Sequence, residues 1–170
     1  MFERWLFYMT DNSDARTFDV TLRRVKMDDL PTLFQHQLDP DAVRMAVVYP
    51  RDADSFQAHW TRILEDSSTT ALAILTQGTL VGSISCFRME GKFLVGYWIA
   101  KDQWGRGIGT RALALLLQDV TSRPLYAHVA SHNVGSIRVL TRNGFVIQSY
   151  EFKPADDRYP ECEEVLLELA

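Results

Sequence analysis

The chain has 170 residues, 46% of them hydrophobic and 24% charged, a length and mixture that support one sizeable core. Its net charge of −4 excludes nucleic acid held by bulk charge alone, while leaving room for a local basic site that holds a phosphorylated ligand. Cys86 and Cys162 stand in unrelated segments, which gives neither a disulfide framework nor a metal-ligand pattern and points to free thiols in a reducing cytoplasm.

Glu3 and Arg4 interrupt the apolar start, and no small-residue cleavage site follows, so no signal peptide is expected. No apolar run is long enough to span a membrane. Residues 1–17 read as a flexible lead-in, aromatic through Phe2, Trp5, Phe7 and Tyr8, and residues 18–170 as a single domain. Phe18 to Val25 is the first expected strand. Leu30, Leu33, Phe34 and Leu38 share one helix face, with Asp28 as the expected cap and Pro40 as the expected end. A mixed stretch runs from Asp39 to Arg51. Phe56, Trp60, Ile63 and Leu64 mark a second helix.

Three strands follow as an antiparallel meander: Thr69 to Thr76, Leu80 to Met89 and Phe93 to Ala100. Gly78-Thr79 and Glu90-Gly91 supply the turns between them. Leu113, Leu116, Leu117 and Val120 predict a helix from about Arg106 to Thr121. Leu125 to Ala130 is a strand. A short helix from Asn133 to Asn143 has Asn133 as its cap and Gly144 as its stop. Phe145 to Phe152 and Glu164 to Leu169 complete the pattern. The result is an α/β chain with about seven strands and four helices, and one parallel strand pair across the unit from 93 to 130.

The densest signal is Gln103-Trp104-Gly105-Arg106-Gly107-Ile108-Gly109-Thr110, three alternating glycines between a strand and a helix. Glycines allow tight turns and close backbone approach, and a helix start offers unpaired N–H groups to an anion. An ATP-type loop does not fit, because no Gly-Lys-Ser/Thr occurs. Gly107, Gly109 and Ala112 satisfy a dinucleotide fingerprint. The acidic residue expected about 20 positions on is absent, however, from Ala130-Ser131-His132-Asn133. The remaining readings are a loop for the pyrophosphate of coenzyme A and glycines that merely permit a turn.

Val95-Gly96-Tyr97-Trp98-Ile99-Ala100, the glycine run, Asn133-Val134-Gly135-Ser136-Ile137-Arg138-Val139-Leu140 and Asn143-Gly144-Phe145 together resemble the GNAT superfamily of N-acetyltransferases, and within it the RimJ/RimL branch. The resemblance is close over 93–145, and the element order extends it to about 18–169. It implies a mixed central sheet and acetyl-CoA as co-substrate. Backbone groups of Trp98, Ile99 and Ala100 would meet the pantetheine arm at a splayed strand end. Amides of Trp104, Gly105, Arg106, Gly107, Ile108, Gly109 and Thr110 would hold the pyrophosphate. Asn133 would touch the pantetheine arm, and Ser136 would lie near the thioester sulfur.

Acetyl transfer needs a deprotonated amine held close to the thioester carbon, a donor for the carbonyl oxygen and a proton for the leaving thiolate. The expected oxyanion donor is a backbone N–H near Ile99, and Ser136 is the candidate acid. Many relatives carry Glu where this chain has Leu94 and Tyr where it has Leu140. Glu90, Glu151, Asp156, Asp157 and His128 are therefore the candidate bases. Asp156 is preferred among them, since the RimJ/RimL branch places acidic groups near substrate in that loop. His36 and His59 are expected near the substrate mouth. Arg106, Arg111, Arg138 and Arg142 are candidates for coenzyme A phosphates. His128 and His132 are four apart but off any helix, so no metal is expected.

The acceptor is an amine, either a peptide or protein N-terminus or a small molecule. Nucleic acid and membrane are not expected partners, and the chain is a monomer or homodimer. A non-catalytic acyl-CoA-binding module and, more distantly, a nucleotide-dependent oxidoreductase are the alternatives.

Overall fold

The computed structural model describes residues 19–170. The expected lead-in, with Phe2, Trp5, Phe7 and Tyr8, and Phe18 of the first strand lie outside the described residues. The strands are β1 (Val20–Arg24), β2 (Thr70–Thr76), β3 (Thr79–Met89), β4 (Lys92–Ile99), β5 (Leu125–Ala130), β6 (Val146–Lys153) and β7 (Cys162–Leu169). The helices are α1 (Leu30–Gln37), α2 (Pro40–Ala46), α3 (Ala53–Glu65), α4 (Ile108–Asp119) and α5 (Val134–Arg142). The strands form one sheet in the order β1-β2-β3-β4-β5-β7-β6. Every pairing is antiparallel except β4 with β5.

Period-two alternation on β2 builds both faces of this sheet. Ala71 and Ala73 join Val25, Leu30, Leu33, Phe56 and Trp60 in a core beneath α1 and α3. Ile74 faces the other way, into a larger core with Ile84, Val95, Leu113, Leu116, Leu140 and Leu167 beneath α4 and α5. Phe34, Phe56 and Trp60 stack as tilted rings along the smaller core, a geometry aromatic quadrupoles favour.

Several expected boundaries shift for local reasons. Pro40 does not end a helix but begins α2, because Pro is at home in the first helical turn. Asp39 caps α2, its Oδ1 accepting from Asp41 N at 2.9 Å and Ala42 N at 3.1 Å. This adds a fifth helix. The expected cap Asp28 gives way to Asp29, which is 7% exposed and takes a two-pronged hydrogen bond from Arg23 at 2.7 and 2.8 Å. The β2–β3 turn is Gln77-Gly78, both at positive φ, and Thr79 already belongs to β3. The glycine-loop helix starts at Ile108 rather than Arg106, because Gly107 is its left-handed cap at φ 75°.

β4 and β5 pair only at Phe93↔Leu125 and Leu94↔Tyr126 and then part. Beyond that point β4 stays paired with β3 on one edge only. This opening creates the site.

Candidate active site

The gap between β4 and β5 is a cleft of about 320 Å³, within the range of ~300–1,000 Å³ usual for small-molecule sites. Its walls come from β4, the glycine loop, the start of α4, α5 and α2. Of the residues expected to bind, it brings together Trp98, Ile99, Trp104, Gly105, Gly107, Ile108, Gly109, Thr110, Asn133 and Ser136. Arg138 and Arg142 also line it. Ala100 and Arg106 do not. Ala100 donates its N–H to Val81 O at 2.8 Å, toward β3. The Arg106 guanidinium donates to Gln103 Oε1 at 3.2 Å. Ala100 instead borders a second hollow with His36, Asp39 and Asp102.

The register decides which β4 groups face the cleft. Ala100 bonds toward β3, so alternation turns the backbone groups of Trp98 toward β3 as well and those of Tyr97 and Ile99 toward the gap. Ile99 O already accepts the Trp104 indole N–H at 2.9 Å, which pins the glycine loop to the strand end. The Ile99 N–H faces the opening. The Trp98 backbone is turned away from the cleft, although its side chain contributes to the wall and its indole donates to His36 O at 3.0 Å.

Gly105 and Gly107 hold φ of 74° and 75°, and a Cβ added at either would meet nothing within 4 Å. Glycine is present there for its backbone conformation, where an L side chain is strained. Gly109 is different. A Cβ there would approach Val139 at 3.3 Å, so this glycine lets α4 pack closely on α5. The first-turn N–H groups of α4 have no partners within the helix. Together with the loop amides they form an anion cradle, with Arg138 and Arg142 adding charge. Apolar walls and this donor set fit a pyrophosphate-bearing thioester.

Asn133 ties the far side of the cleft together. Its Oδ1 caps α5 by accepting from Ser136 N at 3.1 Å, and its Nδ2 donates to Met45 O at 3.1 Å. His132 Nε2 lies 3.2 Å from Arg44 O. These contacts fasten α2 over the α5 start. The Lys101–Asp41 ion pair anchors α2 to the segment after β4.

Ser136 Oγ lies 2.7 Å from the Tyr97 hydroxyl, which also donates to Ser136 O at 3.2 Å. Burial pushes the Tyr97 phenol up to about 12, so it stays protonated and available as a donor. Sequence reasoning missed Tyr97. The signal was present in alternation: Tyr97 shares a face with Val95 and Ile99, the face that α4 and α5 cover. Leu94 and Leu140 are 5% and 0% exposed. Both are core residues.

The other candidates are dispersed. Glu90 sits in the β3–β4 turn at φ 51°. Glu151 is exposed and pairs with Lys153 at 2.7 Å. His128 Nδ1 lies 2.8 Å from Glu164 Oε1. Asp156 and Asp157 are exposed in the β6–β7 loop, outside the cleft lining. The Asp156 carboxylate accepts from Arg158 N and Tyr159 N, each at 2.7 Å. Arg111 is exposed and does not line the cleft. The His36 Nδ1 is buried without a hydrogen-bond partner, and burial pushes its ring below the usual imidazole range. Among the described residues, no group of three or more His, Cys, Asp or Glu is arranged to hold a metal, and no helix is long and apolar enough to cross a membrane.

The sequence profile of the Acetyltransferase (GNAT) domain matches residues 19–146. The chain belongs to the GNAT acetyltransferase family. No curated protein sequence matches it. Similar solved structures include Mycobacterium smegmatis RimJ in complex with CoA-disulfide, at 21% identity over 88% of this chain and 81% of that one, with a TM-score of 0.71. Another is spermidine N-acetyltransferase from Vibrio cholerae in complex with CoA and spermine, at 18% identity, 87% and 95% coverage and a TM-score of 0.70. A third is yncA, a putative acetyltransferase from Salmonella typhimurium with its cofactor acetyl-CoA, at 16% identity, 88% and 92% coverage and a TM-score of 0.71. At these identities the likeness establishes a shared GNAT fold.

Proposed function

We propose that residues 18–170 act as one acetyltransferase domain that moves the acetyl group of acetyl-CoA to a primary amine, by direct transfer within a ternary complex. The observation that carries this reading is the cleft between β4 and β5. It has an anion cradle at the glycine loop, a free strand edge at Tyr97 and Ile99, and the Ser136–Tyr97 hydroxyl pair at its other end. Bound acetyl-CoA supplies an activated acetyl group.

The chain's own groups divide the remaining work. The amides of Gly105 and Gly107 and the α4 start bind the pyrophosphate, and Asn133 orders the α5 end of the cleft. The Ile99 N–H donates to the thioester carbonyl oxygen as charge develops. Ser136 gives a proton to the leaving sulfur, while the neutral Tyr97 phenol turns its one O–H from Ser136 O to Ser136 Oγ, leaving the serine proton free for that step. The attacking amine gives one proton to water, the sulfur takes one from Ser136, and water restores the serine proton, so the protons balance. An α-amine with its ordinary pKa near 8 needs less assistance in losing that proton than a lysine. This favours an N-terminal acceptor, in line with the RimJ/RimL-type motifs, and a cytoplasmic setting fits such a substrate. Asp156 serves in this reading to shape the β6–β7 loop.

The test is thiol release from acetyl-CoA with a panel of free N-terminal peptides, polyamines and amino acids. Release with one class supports the reading, and Ser136→Ala then lowers kcat about 100-fold with little change in KM for acetyl-CoA. Retained acetyl-CoA binding with no release from any amine would instead make the chain an acyl-CoA-binding module.

A further inference from the structure

The α2–α3 connection, α3 and the β6–β7 loop bring three arginines to one imidazole. Arg51 precedes α3, His59 and Arg62 lie on α3, and Arg158 sits in the β6–β7 loop. The two loops are joined where Tyr49 N donates to Arg158 O at 3.0 Å. The Asp156 turn fixes the Arg158 and Tyr159 backbone, and Arg158 stacks over the Tyr159 ring at 5.7 Å. Gln37 donates to Arg51 O at 3.4 Å. Gln37 is the last residue of α1, next to His36, whose carbonyl holds the Trp98 indole of the cleft wall. Arg51 also follows Ala46, another wall residue, by a short connection.

Among the described residues, the cluster has no ion-paired counter-charge. Among the described residues, none of the ion pairs involves Arg51, Arg62 or Arg158. The charges bearing on His59 among the described residues are these three arginines, and those bearing on Arg51 are Arg158, Tyr159 and Arg62. No carboxylate is among them. The Arg158 Nε–H is buried without a hydrogen-bond partner among the described residues. Arg51, His59 and Arg158 are all half-buried. Arg62 is exposed and donates its Nε–H to Ala58 O at 3.4 Å, while Arg51 and Arg158, with its orphaned N–H, are half-buried. In a chain with net charge −4, such a group of cations without ion-pair partners among the described residues is prepared for an anion.

We propose that Arg51, Arg62 and Arg158 form an anion subsite that takes a carboxylate or phosphate group carried by the acceptor amine. This deepens the acetyltransferase reading and rests on it. The subsite is built from the α2–α3 connection, α3 and the β6–β7 loop. Arg138 and Arg142 belong to α5, whose C-terminal end meets the glycine-loop helix through Asn143 Nδ2 donating to Thr110 O at 3.2 Å. The cofactor's phosphates and the acceptor's anionic group therefore have separate cationic sites. The acceptor class is a primary amine with an acidic group on the same molecule.

The experiment has two arms. In the first, succinate and inorganic phosphate are titrated into the full chain, and the arginine Nε–H and His59 ring signals are followed by NMR. Saturable shifts at Arg51, Arg158 and His59 are expected. The affinity read at His59 should weaken about tenfold in Arg51→Gln/Arg158→Gln, as expected for loss of charge-assisted bonds, and all three shifts should persist in Arg24→Gln. The anion that binds more tightly identifies the group as carboxylate or phosphate. In the second arm, thiol release is compared for 4-aminobutyrate against 4-aminobutanamide and for phosphoethanolamine against ethanolamine. The acid-to-neutral ratio of kcat/KM should exceed one and fall about tenfold in Arg51→Gln.

Absent shifts, shifts that survive the double variant, or a ratio that Arg51→Gln leaves unchanged would overturn the proposal. Saturable binding lost in the double variant, with no thiol release from any amine, would uphold the subsite and bring down the acetyltransferase reading instead.

Discussion

Ser136 and Tyr97 share a hydrogen bond, and in the proposed transfer their substitutions should be coupled. Tyr97→Phe keeps the ring in its packed site and removes only the hydroxyl, so it should lower kcat less than Ser136→Ala does. The double variant should be no worse than Ser136→Ala alone, because groups in one hydrogen-bonded chain are not additive. Steady-state kinetics of the four proteins would check this; strictly additive losses would separate the two residues. At His59, burial first and then Arg51, Arg62 and Arg158 push the imidazole down to about 4 from its ordinary 6.5. The unfolded chain therefore binds a proton that the folded chain refuses. That contribution to stability is complete above pH ~6.5 and is lost as pH falls toward 4. Urea unfolding of His59→Asn against the parent should show a flatter pH dependence in that window. Asp29 behaves differently. Arg23 holds its carboxyl below the usual range, so its contribution is lost only as pH falls below the ordinary carboxylate value.

At the scale of elements, the β4 strand end carries the site, and Gly82 guards it. A Cβ at Gly82 would lie 2.2 Å from Trp98 O on the adjoining strand, and backbone cannot give way as a flexible side chain can. Gly82→Ala should therefore displace β3 from β4 and cost about 1–3 kcal/mol, the usual range for forced overpacking. It should also weaken acetyl-CoA binding, and unfolding and calorimetry would read the two effects. Gly107→Ala has no steric neighbour to strike, and its cost of roughly 1–2 kcal/mol would come from left-handed backbone alone.

The elements were legible in the sequence wherever periodicity and turn chemistry agreed. β2 through β5, α4 and the Asn133 cap all lie where alternation, helical spacing and glycines pointed. α2 was hidden because Pro40 reads equally as an end and as a beginning, and only the Asp39 side chain decides between them. Local motifs drew attention to the glycine loop and Ser136. Tyr97 was harder to see, because its role depends on the distance between a strand and a helix far apart in sequence. Asp156 was named for its chemistry and for its loop, where the resemblance implied acidic groups near substrate, and its neighbours show a turn-forming carboxylate. Arg51 and Arg158 carry no motif, and tertiary contact alone brings them together.

For the whole molecule, the same sheet separates two tasks. One face builds the smaller core with α1 and α3, next to the Arg51–Arg158 cluster. The other carries α4 and α5, which hold the cradle and the hydroxyl pair. The splay between β4 and β5 joins them, so ligand bound there contacts elements from both faces and should stabilise the entire fold. The most direct measurement is thermal unfolding of the full chain with acetyl-CoA, coenzyme A, NAD or ATP, each at saturating concentration. Ligand at 100 times its dissociation constant adds about 2.7 kcal/mol, which raises the midpoint by roughly 5–10 °C for a domain of this size. A rise of that order with acetyl-CoA and coenzyme A, and none with NAD or ATP, is the expected result. No rise with either coenzyme A species, or a larger one with NAD, would contradict the account.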